Sequence, residues 1–154
     1  MEQQTNQNEY TRGVPPHDAM AEQAVLGSMF LDREAASLAM EVLTGEDFYR
    51  PDHRMVFEAA EELYRTGAPI DIVTVKNKLE EKGQFEQIGG LPFLASISTA
   101  VGSSVNVRHY AEIVEEKAVL RRLIQTAGKI SQISYEGKED VNLIMDLAEK
   151  NIFD

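Results

Sequence analysis

Apolar residues recur along most of this chain at steps of three and four, the spacing of helices that bury one face. Val25, Leu26, Met29 and Phe30 mark a first helix running to about Leu31, with Asp18 as its N-cap after the stiff pair Pro15-Pro16. Asp32 caps a second helix, whose Ala35, Leu38, Ala39, Val42 and Leu43 repeat at helical spacing until Thr44-Gly45. Asp47-Phe48-Tyr49-Arg50-Pro51 reads as a turn that sends two aromatics into the core. Val56, Ala59, Ala60, Leu63 and Tyr64 then define a third helix, stopped by Gly67 and Pro69. Asp71 caps a fourth, with Ile70 and Val75 at the positions of a hydrophobic staple, and Gly83 closes it. Ile72-Val73-Thr74-Val75 is also β-rich, but without a nearby partner strand the pattern favours helix. After the turn Gly89-Gly90, Pro92 opens a short helix through Phe93, Leu94, Ile97, Ala100 and Val101 to Gly102.

The segment from Asn106 to Ile133 behaves differently. Val105 and Tyr110 form a staple about its head. With Tyr110 at zero and about 100° per residue, Val107, Tyr110, Ala111, Val114 and Ala118 fall within roughly 0–100°. After Val119 the apolar side inverts: Leu120, Leu123, Ile124, Ala127, Ile130 and Ile133 fill roughly 140–320°. A helix packed on one core has no reason to change sides, whereas a helix that leaves its domain and docks on something else does. Ser134 to Lys138 breaks the pattern, and a last helix begins near Glu139, with Val141, Ile144, Met145, Ala148 and Ile152 in one stripe. A short connection between two helices makes an antiparallel hairpin. The last helix should then cover the second stripe of the long one.

The reading is therefore all-α: a disordered tail at 1–14, a compact multi-helix globular subdomain at 15–103, and an antiparallel helical hairpin at 104–154. Ile152-Phe153-Asp154 carries neither cap nor tail, as expected inside a longer protein.

Composition narrows the function. The formal charge is −11, which argues against a grip on phosphate backbones and predicts little direct DNA binding. Between Asn106 and Tyr135 there are five basic and three acidic residues, a net of +2, so the remainder carries −13. Such a helix can attract an acidic partner or a neighbouring copy. There are no cysteines, no apolar run that would span a membrane and no basic-apolar leader, so the expected location is the cytoplasm.

Candidate chemistry is sparse. His17, His53 and His109 are dispersed, and His53, in the first turn of a helix, is expected at the surface or in a cap. Glu61-Glu62, Glu80-Glu81 and Glu115-Glu116 diverge around their helices instead of converging on one substrate atom. Gly128-Lys129 and Gly137-Lys138 have no glycine five positions upstream and no following Ser or Thr, so no P-loop is present. Phe48, Tyr49, Phe57, Tyr64 and Phe93 occupy apolar helical positions and belong to the core. No catalytic, cofactor or metal residue is expected, and the chain is not expected to be an enzyme.

Several segments together resemble one family. Pro15-Pro16, Ala21-Glu22-Gln23-Ala24-Val25-Leu26-Gly27, Asp47-Phe48-Tyr49-Arg50 and Ile70-Asp71-Ile72-Val73-Thr74-Val75 come first. Gly89-Gly90 with Phe93-Leu94, Asn106-Val107 with Tyr110-Ala111, Ile113 to Lys117 and Leu120-Arg121-Arg122-Leu123-Ile124 follow in order. The chain from Pro15 onward resembles the N-terminal domain of bacterial replicative DNA helicases, the DnaB family. It departs from that pattern at Met20, at Val101-Gly102-Ser103-Ser104 and at Ile133-Ser134-Tyr135.

The resemblance implies a globular helical subdomain and a hairpin that pairs with a second copy, building a collar in a hexameric ring. It implies docking of the C-terminal domain of a DnaG-type primase and of a helicase loader. It also implies that ATP and magnesium belong to a separate P-loop domain of the longer family members. On that basis the self-association residues are Leu120, Leu123, Ile124, Ala127, Ile130, Ile133, Ile144, Met145 and Ala148. Primase is expected at Arg121, Arg122 and Lys129. The alternative is an independent dimeric adaptor.

Overall fold

The computed structural model describes residues 13–153; most of the expected tail at 1–14 lies outside them. Among the described residues there are seven α-helices and one short 3₁₀ turn, with no strand. The helices are α1 (Ala19–Leu31), α2 (Arg33–Val42), α3 (Pro51–Arg65), α4 (Ile72–Glu81), α5 (Gly90–Ser98), α6 (Val107–Glu136) and α7 (Val141–Phe153). The β-rich run Ile72 to Val75 is helical.

The described residues divide into two compact units, His17–Ala118 and a second made of 13–16 with 119–153. The division falls inside α6, not at its head, because Val107, Ala111, Val114 and Ala118 are buried with the first unit. Helical spacing on one face decides this boundary, and the loop at 102–106 does not.

In the first unit α1 is the central element. Ala21, Glu22 and Ala24 through Met29 are all buried, as expected of a helix apolar nearly all round. It packs against α2, α3 and α5. Gly27 is where α5 comes closest: a Cβ there would stand 2.9 Å from the Ile97 carbonyl oxygen. Asp32 serves both neighbours of its corner, donating its backbone N–H to the Ser28 carbonyl and accepting from Glu34 N–H through its side chain.

Helix α2 ends at Val42, earlier than Thr44-Gly45, because Thr44 and Asp47 close a box of their own around the 3₁₀ turn Gly45–Asp47. Arg33 ties the start of α2 to the end of α3, donating to the Ala68 and Tyr64 carbonyls at 2.9 and 3.2 Å and lying over the Tyr64 ring. Asp71 caps α4 reciprocally with Thr74: the Asp71 carboxylate accepts Thr74 N–H at 2.9 Å, and Thr74 Oγ1 accepts Asp71 N–H at 3.0 Å. Gly67 and Gly83 end α3 and α4 in the left-handed region, at φ of +75° and +68°. Such angles cost a side chain strain that glycine avoids.

Several sequence expectations shift. Phe48 is buried, but Tyr49 is half-buried and stacks on His17 with ring centroids 4.3 Å apart. Phe57 is core, whereas Tyr64 and Phe93 are half-buried. Helix α5 begins at Gly90, before Pro92, and ends at Ser98, leaving Ala100 exposed. Val105 is 80% exposed and makes no staple with Tyr110.

His53 is fully buried, not at the surface. Its Nδ1 lies 2.8 Å from Glu22 Oε1 on α1, and both side chains are essentially inaccessible. The same carboxylate accepts the backbone N–H groups of Tyr49 and Arg50 at 2.9 and 3.3 Å. The first turn of α3 points inward here because α1 supplies an acceptor that a buried ring nitrogen and two turn amides require.

Candidate protein interaction site

The second unit carries two helices joined by a short connection, with limits that differ from the sequence reading. Helix α6 continues to Glu136, three residues past Ile133, because Gly137 at φ +59° ends it and donates to the Ile133 carbonyl. Helix α7 starts at Val141, two residues after Glu139, with Ile144 N–H bonded to the Asp140 carbonyl.

No residue of α7 is buried, and no residue of α6 beyond Ala118 is. The last helix therefore does not cover the whole second stripe, contrary to the sequence expectation. One neighbour shields only part of an arc as broad as roughly 180°. Thr126, Ile130 and Ile133 on α6 and Ile144, Leu147 and Ala148 on α7 are half-buried, each set on one side of its helix, and these two sides are termed the seam. Leu147 was not apparent as a seam residue in sequence, although it completes the i, i+3, i+4 set with Ile144 and Ala148.

The remaining apolar positions stay open. Leu120, Leu123 and Ile124 are between 44% and 55% exposed; Val141, Met145 and Ile152 are between 53% and 68% exposed. Around α6 the seam lies at roughly 140–200° and the open stripe, including Ala127, at roughly 220–320°. Around α7, with Ile144 at zero, the open stripe lies at roughly 60–100°. In both helices the open stripe is thus about 90–100° onward from the seam in the direction of the winding. Two right-handed helices running antiparallel wind oppositely to one viewer, so equal displacements bring both stripes to the same side. Packed antiparallel, the two helices would bring these stripes to one face.

Of the nine residues expected in self-association, Leu120, Leu123, Ile124, Ala127 and Met145 are exposed. Ile130, Ile133, Ile144 and Ala148 belong to the seam. Of the three basic candidates, Arg121 donates from Nη1 to the Pro16 carbonyl at 2.7 Å and stands roughly 150° from the seam. Arg122 and Lys129 are exposed and lie on the side opposite the apolar face.

Elsewhere the chemistry stays sparse. Among the described residues no cluster of His, Asp and Glu could hold a metal, and no helix is long and apolar enough to cross a membrane. At the head of α3, burial pushes the Asp52 carboxyl up. The Arg50 hydrogen bond, the neighbouring His53 charge, the His53 N–H and the Arg50 charge outweigh it and hold Asp52 below its ordinary value. That pair is a partly exposed contact at 2.7 Å.

Comparison with known proteins fits this architecture. A family model described as the DnaB-like helicase N terminal domain matches residues 14–116. The chain belongs to this family. The replicative DNA helicase DnaB of Geobacillus stearothermophilus is 43% identical over 145 residues, 94% of this chain and 32% of that protein. The replicative DNA helicase DnaC of Bacillus subtilis (strain 168) is 43% identical over 141 residues, 92% of this chain and 31% of its own length. The chain thus spans about a third of the curated relatives it matches.

Among solved structures, the N-terminal domain of DnaB helicase from Mycobacterium tuberculosis superposes with a TM-score of 0.87 at 41% identity, covering 91% of this chain and 99% of that one. The N-terminal domain of DnaB helicase from Helicobacter pylori, described with its interactions with primase, gives a TM-score of 0.66 at 26% identity over 75% and 90% of the chains. Family membership sets aside the reading of an unrelated adaptor.

Proposed function

We propose that the chain is the non-catalytic N-terminal assembly and docking domain of a hexameric replicative DNA helicase. In this reading it pairs with a second copy through the hairpin and receives primase or a helicase loader on the resulting collar. The observation that carries the reading is the row of exposed apolar side chains on α6 and α7. Six large side chains stand open on it: Leu120, Leu123, Ile124, Val141, Met145 and Ile152.

Covering a half-exposed aliphatic side chain contributes about 1 kcal/mol, so an isologous pair gains on the order of 12 kcal/mol. Association costs about 4–15 kcal/mol in lost freedom. The two terms are of similar size, so the isolated domain is a weak dimer whose partnership is completed by the rest of a ring. Sedimentation across micromolar to millimolar concentrations tests this: a reversible monomer–dimer equilibrium is expected, and a strict monomer would sink the pairing. Capture by the C-terminal domain of the primase from the same organism tests docking. The chemistry of ATP and magnesium is assigned to a P-loop domain elsewhere in the helicase, since these 154 residues contain no P-loop.

A further inference from the structure

We infer that Met145 is an oxidation site that controls self-association: a peroxide converts its thioether to the sulfoxide and loosens the pair. The inference rests on the self-pairing proposed above and names a regulation of that same surface.

The chain contains six methionines and no cysteine, so its sulfur chemistry is thioether chemistry alone. Among the methionines of the described residues, Met29 is buried, and Met40 and Met55 pack half-buried against the same core. Met20 and Met145 are open, at 81% and 59% exposure. The two open ones differ in place. Met20 is the second residue of α1, in the first compact unit. Met145 stands at roughly 100° around α7, in one stripe with Val141 and Ile152 at roughly 60° and 80°, and all three are exposed. Glu149, at roughly 140°, bounds that stripe on its polar side. Oxygen added at Met20 therefore stays in water, whereas oxygen added at Met145 stands where a second copy is to be seated.

Hydrogen peroxide transfers one oxygen atom to the sulfur. An S–O bond forms, the peroxide O–O bond breaks, the thioether is oxidised by two electrons and water leaves. A methionine sulfoxide reductase, with thiols as the electron source, restores the thioether. The oxidised side chain keeps its length but carries a polar S–O group, which must give up water when the stripe is covered. Met145 occurs once in each member of an isologous pair, so the loss counts twice. A weak pair leaves the sulfur of the free chain open to the oxidant, and each oxidised chain is withdrawn from the equilibrium. Met29, shielded in the core, is oxidised last, so the fold persists while the pairing is lost.

The test treats the unaltered chain, M20L and M145L with hydrogen peroxide, and adds untreated M145Q, whose amide is polar as the sulfoxide is. Peptide mass spectrometry locates the added oxygen, sedimentation measures association and circular dichroism follows folding. Oxygen should appear at Met20 and Met145 before Met29, Met40 and Met55. Peroxide should weaken association at least about tenfold in the unaltered chain and in M20L, with helical signal unchanged, and a methionine sulfoxide reductase should restore it. M145L, compared with its own untreated sample, should change by less than about threefold, and untreated M145Q should associate at least about tenfold more weakly than the unaltered chain. Association that survives complete oxidation of Met145, or that falls as far in treated M145L, overturns the inference, as does oxygen at Met29 ahead of Met145. A chain that stays monomeric before any treatment overturns the pairing itself, which the untreated sample shows separately.

Discussion

Replacing Glu22 by alanine removes the acceptor from three donors at once: His53 Nδ1 at 2.8 Å and the backbone N–H groups of Tyr49 and Arg50 at 2.9 and 3.3 Å. An orphaned buried donor costs about 1–3 kcal/mol, and breaking a buried pair from one side costs about 3–5 kcal/mol. The three losses are coupled, since all end on one carboxylate, so the larger figure is not simply multiplied. A loss of about 3–5 kcal/mol is a large share of the roughly 5–15 kcal/mol that holds a domain together. Glu22→Gln keeps one carbonyl acceptor in nearly the same volume and should lose only about half as much. Urea unfolding followed by circular dichroism measures both, with the midpoint falling and the slope unchanged. The His53→Leu single and double variants complete a cycle whose coupling should exceed about 1 kcal/mol. If Glu22→Ala cost less than about 1 kcal/mol, the carboxylate would not be holding the turn, and the account of why His53 is buried would be wrong.

Other outcomes follow from single contacts. Asp71→Ala deletes the α4 cap and its reciprocal bond with Thr74, and should cost about 1–2 kcal/mol in urea unfolding. Gly27→Ala gains helix propensity but drives a Cβ to within 2.9 Å of the Ile97 carbonyl oxygen; thermal unfolding should show a net loss of about 1–3 kcal/mol. Asp52 has its folded-state value lowered, so its contribution is present above the unfolded value and is lost as pH falls through the folded one. Asp52→Asn should therefore lower the neutral plateau slightly and flatten the acid limb by the same small amount, as the Arg50 partner is half-exposed. Gly128 sits within α6 with nothing within 4 Å of an added Cβ. Gly128→Ala should therefore raise stability by up to about 1 kcal/mol without changing self-association.

The helical plan was legible because periodicity reports local geometry directly. Asp18, Asp32 and Asp71 announced their helices by cap chemistry, and Val107, Ala111, Val114 and Ala118 announced their burial by spacing. His53 was not legible in the same way, since a first-turn polar residue is ordinarily solvated. The signal lay on another helix. Glu22 shares the i, i+3, i+4, i+7 face of Val25, Leu26 and Met29, and a carboxylate on a buried apolar stripe must find donors from elsewhere in the fold. Reading the acid as misplaced, instead of merely passing over it, would have predicted a buried donor without naming His53.

The hairpin poses the opposite difficulty. Its sequence shows which positions are apolar but not how many neighbours cover them, because a hydrophobic arc is a sum over all contacts a helix will make. On α6 that sum is roughly 180°. Only burial divides it into the part facing α7 (Thr126, Ile130 and Ile133) and the part left open at Leu120, Leu123, Ile124 and Ala127. Thr126, polar and therefore outside the stripe in sequence, belongs to the seam. Ile124, apolar and central to the stripe, does not. The distinction matters for mutagenesis: a charge at Ile130 attacks the hairpin itself, whereas a charge at Ile124 attacks only what docks on it. The two substitutions look equivalent in sequence. They should separate in experiment, I130D losing helical signal together with association, and I124D losing association alone.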